Sequence, residues 1–173
     1  VSYVPVLGEK ETLSGQFLTF VTPQQDLCEP ELIEQLLSHG QHVLVVHPGK
    51  LLSKWRHANL QIMDYVDDIR EVWKKTQILM KPIYKNDICG TTRVVIEAMQ
   101  KGIPVIATDR SGVGEKVPNL VSRDADIYEW LEKIRQVRND YTEQVKLAHK
   151  VWDEYDTPKQ LSIIEEIINK HHE

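Results

Sequence analysis

Three short stretches carry residue types suited to an anionic ligand rich in hydroxyls. Thr91, Thr92 and Arg93 open a segment whose apolar positions, Val94, Val95, Ala98 and Met99, repeat with helical spacing. Backbone N–H groups in such a first turn have no partner inside the helix, and the dipole there is positive, which suits a phosphate. An arginine at this point opposes the dipole, so Arg93 either meets a phosphate or reaches away. Glu97 lies five residues beyond Thr92 and can accept hydrogen bonds from sugar hydroxyls, unless it is an ordinary solvent-facing helix residue. Ser111-Gly112-Val113-Gly114 lets backbone approach a ligand closely, because glycine has no side chain to hold it off. Glu115 after it either binds sugar or caps the following turn. Together these are the parts of a nucleotide-sugar site.

The elements that must position them read strand, loop, helix, strand, loop from Gln77 to Glu115. Ile78, Leu79 and Met80 form a short apolar run that stops at Pro82, the helix ends at Gly102, and Val105, Ile106 and Ala107 start a second strand. Two buried strands joined by one helix pack as a parallel βαβ unit. Ligands sit beyond the carboxyl ends of such strands, which places the loop from Tyr84 to Thr92 and the loop from Asp109 to Glu115 at the functional edge.

The rest of the chain alternates in the same way. Phe17 to Val21 is the first strand, Glu29 to Leu37 a helix with Pro30 in its first turn and Gly40 at its end, and Val43 to Val46 a second strand. Lys50 to Ala58 is polar, a helix or a loop. Asn59 to Val66 alternates as a half-buried strand, and Asp68 with Glu71 fits a capping box before Ile69, Val72 and Trp73. Asn119 to Asp124 leads into a helix striped by Ile127, Trp130, Leu131, Ile134 and Val137. Tyr141, Val145, Ala148, Trp152 and Tyr155 line another, and Thr157-Pro158 opens a last helix. The predicted fold class is α/β: a Rossmann-like doubly wound parallel sheet with C-terminal helices. Residues 1–15 read as a linker or incoming strand, 16–156 as the nucleotide-sugar-binding domain and 157–173 as the C-terminal helix.

A chain of 173 residues can bury its own core, and 41% hydrophobic with 27% charged residues is ordinary globular composition. The net charge of −5 argues against nucleic-acid binding. Cys28 and Cys89 are far apart and in no metal-ligand spacing, which fits reduced thiols in a cytoplasmic protein. The seven histidines show no i, i+4 pair, so no metal site is expected. No transmembrane segment is visible, no run approaching the roughly 18 apolar residues that cross a bilayer. The start at Val1 on a linker-like stretch reads as a piece of a longer polypeptide, with an N-terminal domain missing and any membrane association lying in that missing part.

From about Phe17 to Tyr155 the chain resembles the C-terminal, donor-binding domain of retaining glycosyltransferases of the two-domain GT-B architecture, in the glycogen-synthase-like family. The resemblance rests on Gly90-Thr91-Thr92-Arg93-Val94-Val95-Ile96-Glu97-Ala98-Met99, then Gly102-Ile103-Pro104-Val105-Ile106-Ala107-Thr108-Asp109, then Ser111-Gly112-Val113-Gly114-Glu115. The strand ending at Tyr65-Val66 is similar to the one that brings such enzymes to the nucleobase. The resemblance implies that Glu97 holds the ribose, that Thr92, Arg93 and Val94 meet the diphosphate, and that the stretch after Tyr65-Val66 contacts the base. It further implies a nucleoside-diphosphate sugar as the donor substrate, transfer of the sugar to an unnamed acceptor with retention, no cofactor and no obligatory metal. The missing N-terminal domain would bring the acceptor.

Two positions depart from the pattern. The glutamate that family members place eight residues before the ribose glutamate, on the donor sugar, is here Cys89, a poorer acceptor for hydroxyls, with Asp87 as its possible substitute. The arginine and lysine that many members carry after the first strand are absent from Thr22-Pro23-Gln24-Gln25-Asp26-Leu27-Cys28. Lys50, Lys54, Arg56 and Arg93 are the cations that could compensate for the lost diphosphate charge. These departures feed an alternative, a non-catalytic Rossmann-like module, degenerate from that family, that binds a nucleotide or a protein partner.

Overall fold

The computed structural model describes residues 15–21, 29–46, 55–63, 66–82, 93–108 and 117–154. Among them a six-stranded sheet runs through the centre: β1 (Phe17–Val21), β2 (Val43–Val46), β3 (Leu60–Met63), β4 (Thr76–Lys81), β5 (Val105–Thr108) and β6 (Asn119–Val121). All neighbouring pairs are parallel, in the order β3-β2-β1-β4-β5-β6. The chain builds outward from β1 to β3, returns to lay β4 against the free side of β1, and builds outward again. The order reverses between β1 and β4, and the carboxyl edge at such a reversal is the crevice where open α/β sheets take ligands.

The sequence dictates both faces of this sheet. Val43, Leu44, Val45 and Val46 are all buried, the pattern of a strand covered on both sides. On one face Leu18, Phe20, Val43, Val45, Ile78, Met80 and Ile106 meet helices α1 (Pro30–Ser38) and, further along the chain, Ile127–Asn139. On the other face Leu44, Val46, Leu79, Val105 and Ala107 meet the short α2 (Arg70–Trp73), α3 (Arg93–Gln100) and the helix Tyr141–Glu154. The two later helices are α4 (Ile127–Asn139) and α5 (Tyr141–Glu154). α1 and α3 therefore approach the crevice from opposite sides of the sheet, each with its first turn at the carboxyl edge.

Local signals set the helix ends. Both α1 and α3 close on a glycine with positive φ, Gly40 at 73° and Gly102 at 70°. In each the next two N–H groups turn back on the last-turn carbonyls, Gly40 and Gln41 to Leu37 and Leu36, Gly102 and Ile103 to Met99 and Ala98. Asp126 caps α4 by accepting from the Glu129 N–H at 2.9 Å.

Three details differ from the sequence reading. The expected capping box at Asp68 and Glu71 is half made: Asp68 Oδ1 accepts from the Arg70 N–H, but Glu71 turns to Lys74 Nζ at 3.0 Å instead of reaching back. A lysine three residues on, on the same helix face, competes for that carboxylate. Asn119 to Val121, expected only as a lead-in, is the edge strand β6, with Ile106 opposite Asn119. Its buried asparagine is satisfied by donating from Nδ2 to Gln144 Oε1 at 2.8 Å, so a polar residue interrupts a strand too short to alternate. The strand expected from Asn59 to Val66 spans Leu60–Met63 and is half-buried throughout, as befits an edge. The last expected helix, after Thr157-Pro158, lies outside the described residues.

Candidate functional site

α3 carries the centre of the candidate site. Val95, Ala98 and Met99 are buried against the sheet, which fixes the helix and turns Arg93 and Glu97 away from the core. Arg93 Nε donates to Glu97 Oε1 at 2.6 Å, with the arginine side chain 72% exposed and the glutamate 25%. Glu97 is thus neither lost to bulk solvent nor sealed in the core. The pair is a weak one: arginine preceding glutamate by four residues is the less favourable order on a helix, and a cation in the first turn opposes the dipole. An exposed pair of this kind contributes about 0–0.5 kcal/mol, so a ligand can compete for both partners.

Val94 and Val66 are half-buried and belong to the same apolar cluster, whose rim also includes Val21 at the end of β1 and Met63 at the end of β3. The structure therefore brings Arg93, Val94 and Glu97 together on one helix and sets Val66 on the same face of the sheet. Gly90, Thr91, Thr92, Asp87, Tyr65, Gly112 and Glu115 lie outside the described residues, as do Cys89, Lys50 and Lys54. Arg56 is exposed and gives a guanidinium hydrogen to the Trp55 carbonyl at 2.7 Å. Among the described residues no group of three or more His, Cys, Asp or Glu is placed to hold a metal, and no helix is long and apolar enough to cross a membrane.

Two ionisable residues at this edge have no functional role in the sequence reading. Lys81, the last residue of β4, is only 7% exposed. In the sequence it closes the apolar run Ile78-Leu79-Met80 directly before Pro82, a position that does not by itself tell a buried lysine from an exposed one. Glu29, the residue that precedes α1, is 8% exposed, and its side chain makes no capping hydrogen bond. Burial, reinforced by the neighbouring Glu31, pushes its carboxyl up to about 8.

The sheet has the order 3-2-1-4-5-6, and the helix after β4 carries a partly exposed glutamate one turn in. Residues 28–140 match the family described as Glycosyl transferases group 1. The chain belongs to this family. As a group 1 glycosyltransferase chain it has the Rossmann-like fold of the C-terminal domains of GT-B enzymes. The C-terminal domain of the group 1 glycosyl transferase LpcC from Francisella tularensis is similar over 80% of this chain and 84% of its own, at 17% identity and a TM-score of 0.52. Anabaena HepE, solved in complex with UDP and glucose, is similar over 82% of this chain at 14% identity and a TM-score of 0.63. Sucrose-phosphate synthase from Thermosynechococcus elongatus is similar over 90% at 15% identity and a TM-score of 0.60. The glycosyltransferase chain spans 44% and 46% of the lengths of these last two. No curated protein matches it by sequence.

Proposed function

We propose that this chain is the donor-binding half of a retaining glycosyltransferase of the glycogen-synthase-like kind, which grips a nucleoside-diphosphate sugar at the carboxyl edge of its sheet. The observation that supports the reading is Glu97 itself: partly exposed, one turn from the start of α3, on the helix that follows β4 in a sheet whose order reverses between β1 and β4. Glu97 accepts from the ribose hydroxyls. Gly90, Thr91, Thr92, Arg93 and Val94 meet the diphosphate, and Arg93 leaves Glu97 to do so. Tyr65 and Val66 contact the base, while Asp87, Gly112 and Glu115 surround the sugar. That HepE, of the same fold, was solved with UDP and glucose supports a nucleoside diphosphate and a hexose as the two parts of the donor.

In the reaction the bond between the sugar's anomeric carbon and the diphosphate oxygen breaks, and the diphosphate keeps the electron pair. The acceptor oxygen bonds to the same carbon, and its proton passes to the departing diphosphate oxygen. Charge therefore develops on the diphosphate, where a helix N-terminus and the exposed Arg93 stabilise it, with no need of a metal. A second, N-terminal domain of the same polypeptide brings the acceptor.

Calorimetry with a panel of nucleoside diphosphates and their sugars tests this. One base is expected to bind, and Glu97→Ala is expected to weaken it by at least roughly tenfold, the cost of a hydrogen bond to a charged acceptor. A flat titration across the panel, or binding indifferent to Glu97, would overturn the reading.

A further inference from the structure

The cation that a diphosphate needs is missing from the stretch after β1, yet the described residues contain one buried cation, and it stands at the same crevice. Lys81 ends β4, the central strand beside the reversal, with Ala107 of β5 opposite it. On its other side the β1 register, Thr19 opposite Leu79, puts Val21 level with Lys81. Side chains alternate along a strand, so Lys81 shares a face with Leu79. Leu79, Ala107 and Val21 all belong to the cluster covered by α3. Lys81 thus lies at the carboxyl edge, on the α3 face, next to the helix whose first turns carry Arg93 and Glu97.

Lysine is almost never buried without a reason, because desolvating an ammonium costs several kcal/mol. Val21 and Ala107, the residues level with it on the neighbouring strands, have apolar side chains, and Lys81 is not without a partner of its own. A lysine stem can cross such an apolar level and deliver its charge to the polar rim beyond it. A charge held in low-dielectric surroundings also acts more strongly on a nearby anion than one in open water.

Resting on the function proposed above, we propose that Lys81 is the residue that meets the donor's diphosphate from the floor of the crevice, supplying from the end of β4 the charge that the β1 connection lacks. Arg93 then approaches the same anion from the helix side. The two cations differ in kind: Arg93 is exposed and exchangeable, Lys81 fixed by the sheet.

The test compares diphosphate with nucleoside. UDP, GDP and ADP are titrated first, and the best is set against its own nucleoside for wild type, Lys81→Gln and Lys81→Arg. Lys81→Gln is expected to weaken the diphosphate by roughly tenfold or more while the nucleoside stays within about threefold, and Lys81→Arg to restore most of the loss. Lys81→Met, which keeps the apolar stem, replaces the glutamine variant if that one fails to fold. Equal losses for diphosphate and nucleoside, or none, with wild-type binding still dependent on Glu97, would overturn the role of Lys81 and leave the donor site standing. No binding of any nucleotide by wild type would end both.

Discussion

At the amino ends of the strands Arg138 donates to Gln77 Oε1 and to Gln41 Oε1, both at 2.8 Å, and Tyr141 gives its hydroxyl proton to the Gln77 carbonyl at 3.0 Å. At the carboxyl ends Glu29 and Lys81 are buried, and Arg93 leans on Glu97 in partial solvent. The amino end joins α4, α5, β2 and β4 through neutral acceptors that satisfy a half-buried guanidinium. Burial lowers the pKa of Arg138 and raises that of Tyr141, yet neither leaves its ordinary charge state at neutral pH. The contrast shows where the fold spends its stability. One end is locked by matched polar groups, and the other holds ionisable groups in and beside an apolar edge.

The comparison breaks most visibly at Gly15. A Cβ there would overlap the carbonyl of Thr76, a backbone atom that cannot swing aside, where Gln16 and Phe17 N–H both reach the Lys75 carbonyl at 3.1 Å. Gly15→Ala is expected to cost about 2–4 kcal/mol in a urea titration. Nucleotide affinity, measured at a temperature where the variant is folded, should stay within about threefold, because the carboxyl edge is untouched. A large loss of affinity in the folded variant would mean that the two ends are coupled.

Glu29 sharpens the comparison from the other side. Its folded pKa of about 8 lies above its ordinary value of 4.5, so the folded chain holds a proton that the unfolded chain has lost between those limits. Stability from this group is fully present below about pH 4.5 and falls as pH rises toward 8. Glu29→Gln removes the slope: it should be more stable than wild type by about 1–3 kcal/mol at pH 8 and indistinguishable near pH 4. Thermal unfolding across that range reads the difference, and parallel curves for the two proteins would show that Glu29 is solvated after all.

The sheet was legible in the sequence where burial on both sides leaves continuous apolar runs, as in Val43-Leu44-Val45-Val46 and Ile78-Leu79-Met80. The helices were legible where periodicity and a terminal glycine agreed, at Gly40 and Gly102. β6 was not, because three residues led by an asparagine carry no alternation, and its partner Gln144 lies 25 residues away. Glu97 could be picked out because it sits inside a recognisable succession of motifs. Lys81 and Glu29 could not, because a charged residue beside apolar ones looks the same in sequence whether it faces water or is buried. Only the strand order, which puts β4 beside β1, shows that both stand at one crevice.

The finest test of the contrast concerns Arg93. Removing a residue from the amino end should unfold the chain more easily, whereas Arg93→Ala should leave the unbound protein within about 0.5 kcal/mol of wild type, since the pair it breaks is exposed and set against the helix dipole. Its effect should appear only with ligand and should depend on what the ligand carries. Freed of the guanidinium, Glu97 becomes more available to ribose hydroxyls, so a nucleoside should bind unchanged or slightly better. The diphosphate, having lost one cation, should bind about two- to fivefold more weakly, and the deficit should shrink as salt is raised and screening makes the lost charge matter less. Calorimetry at two salt concentrations separates these outcomes. If Arg93→Ala weakens nucleoside and diphosphate alike, the arginine orients Glu97 instead of meeting phosphate. The carboxyl end would then rely on Lys81 and the helix start alone for its positive charge.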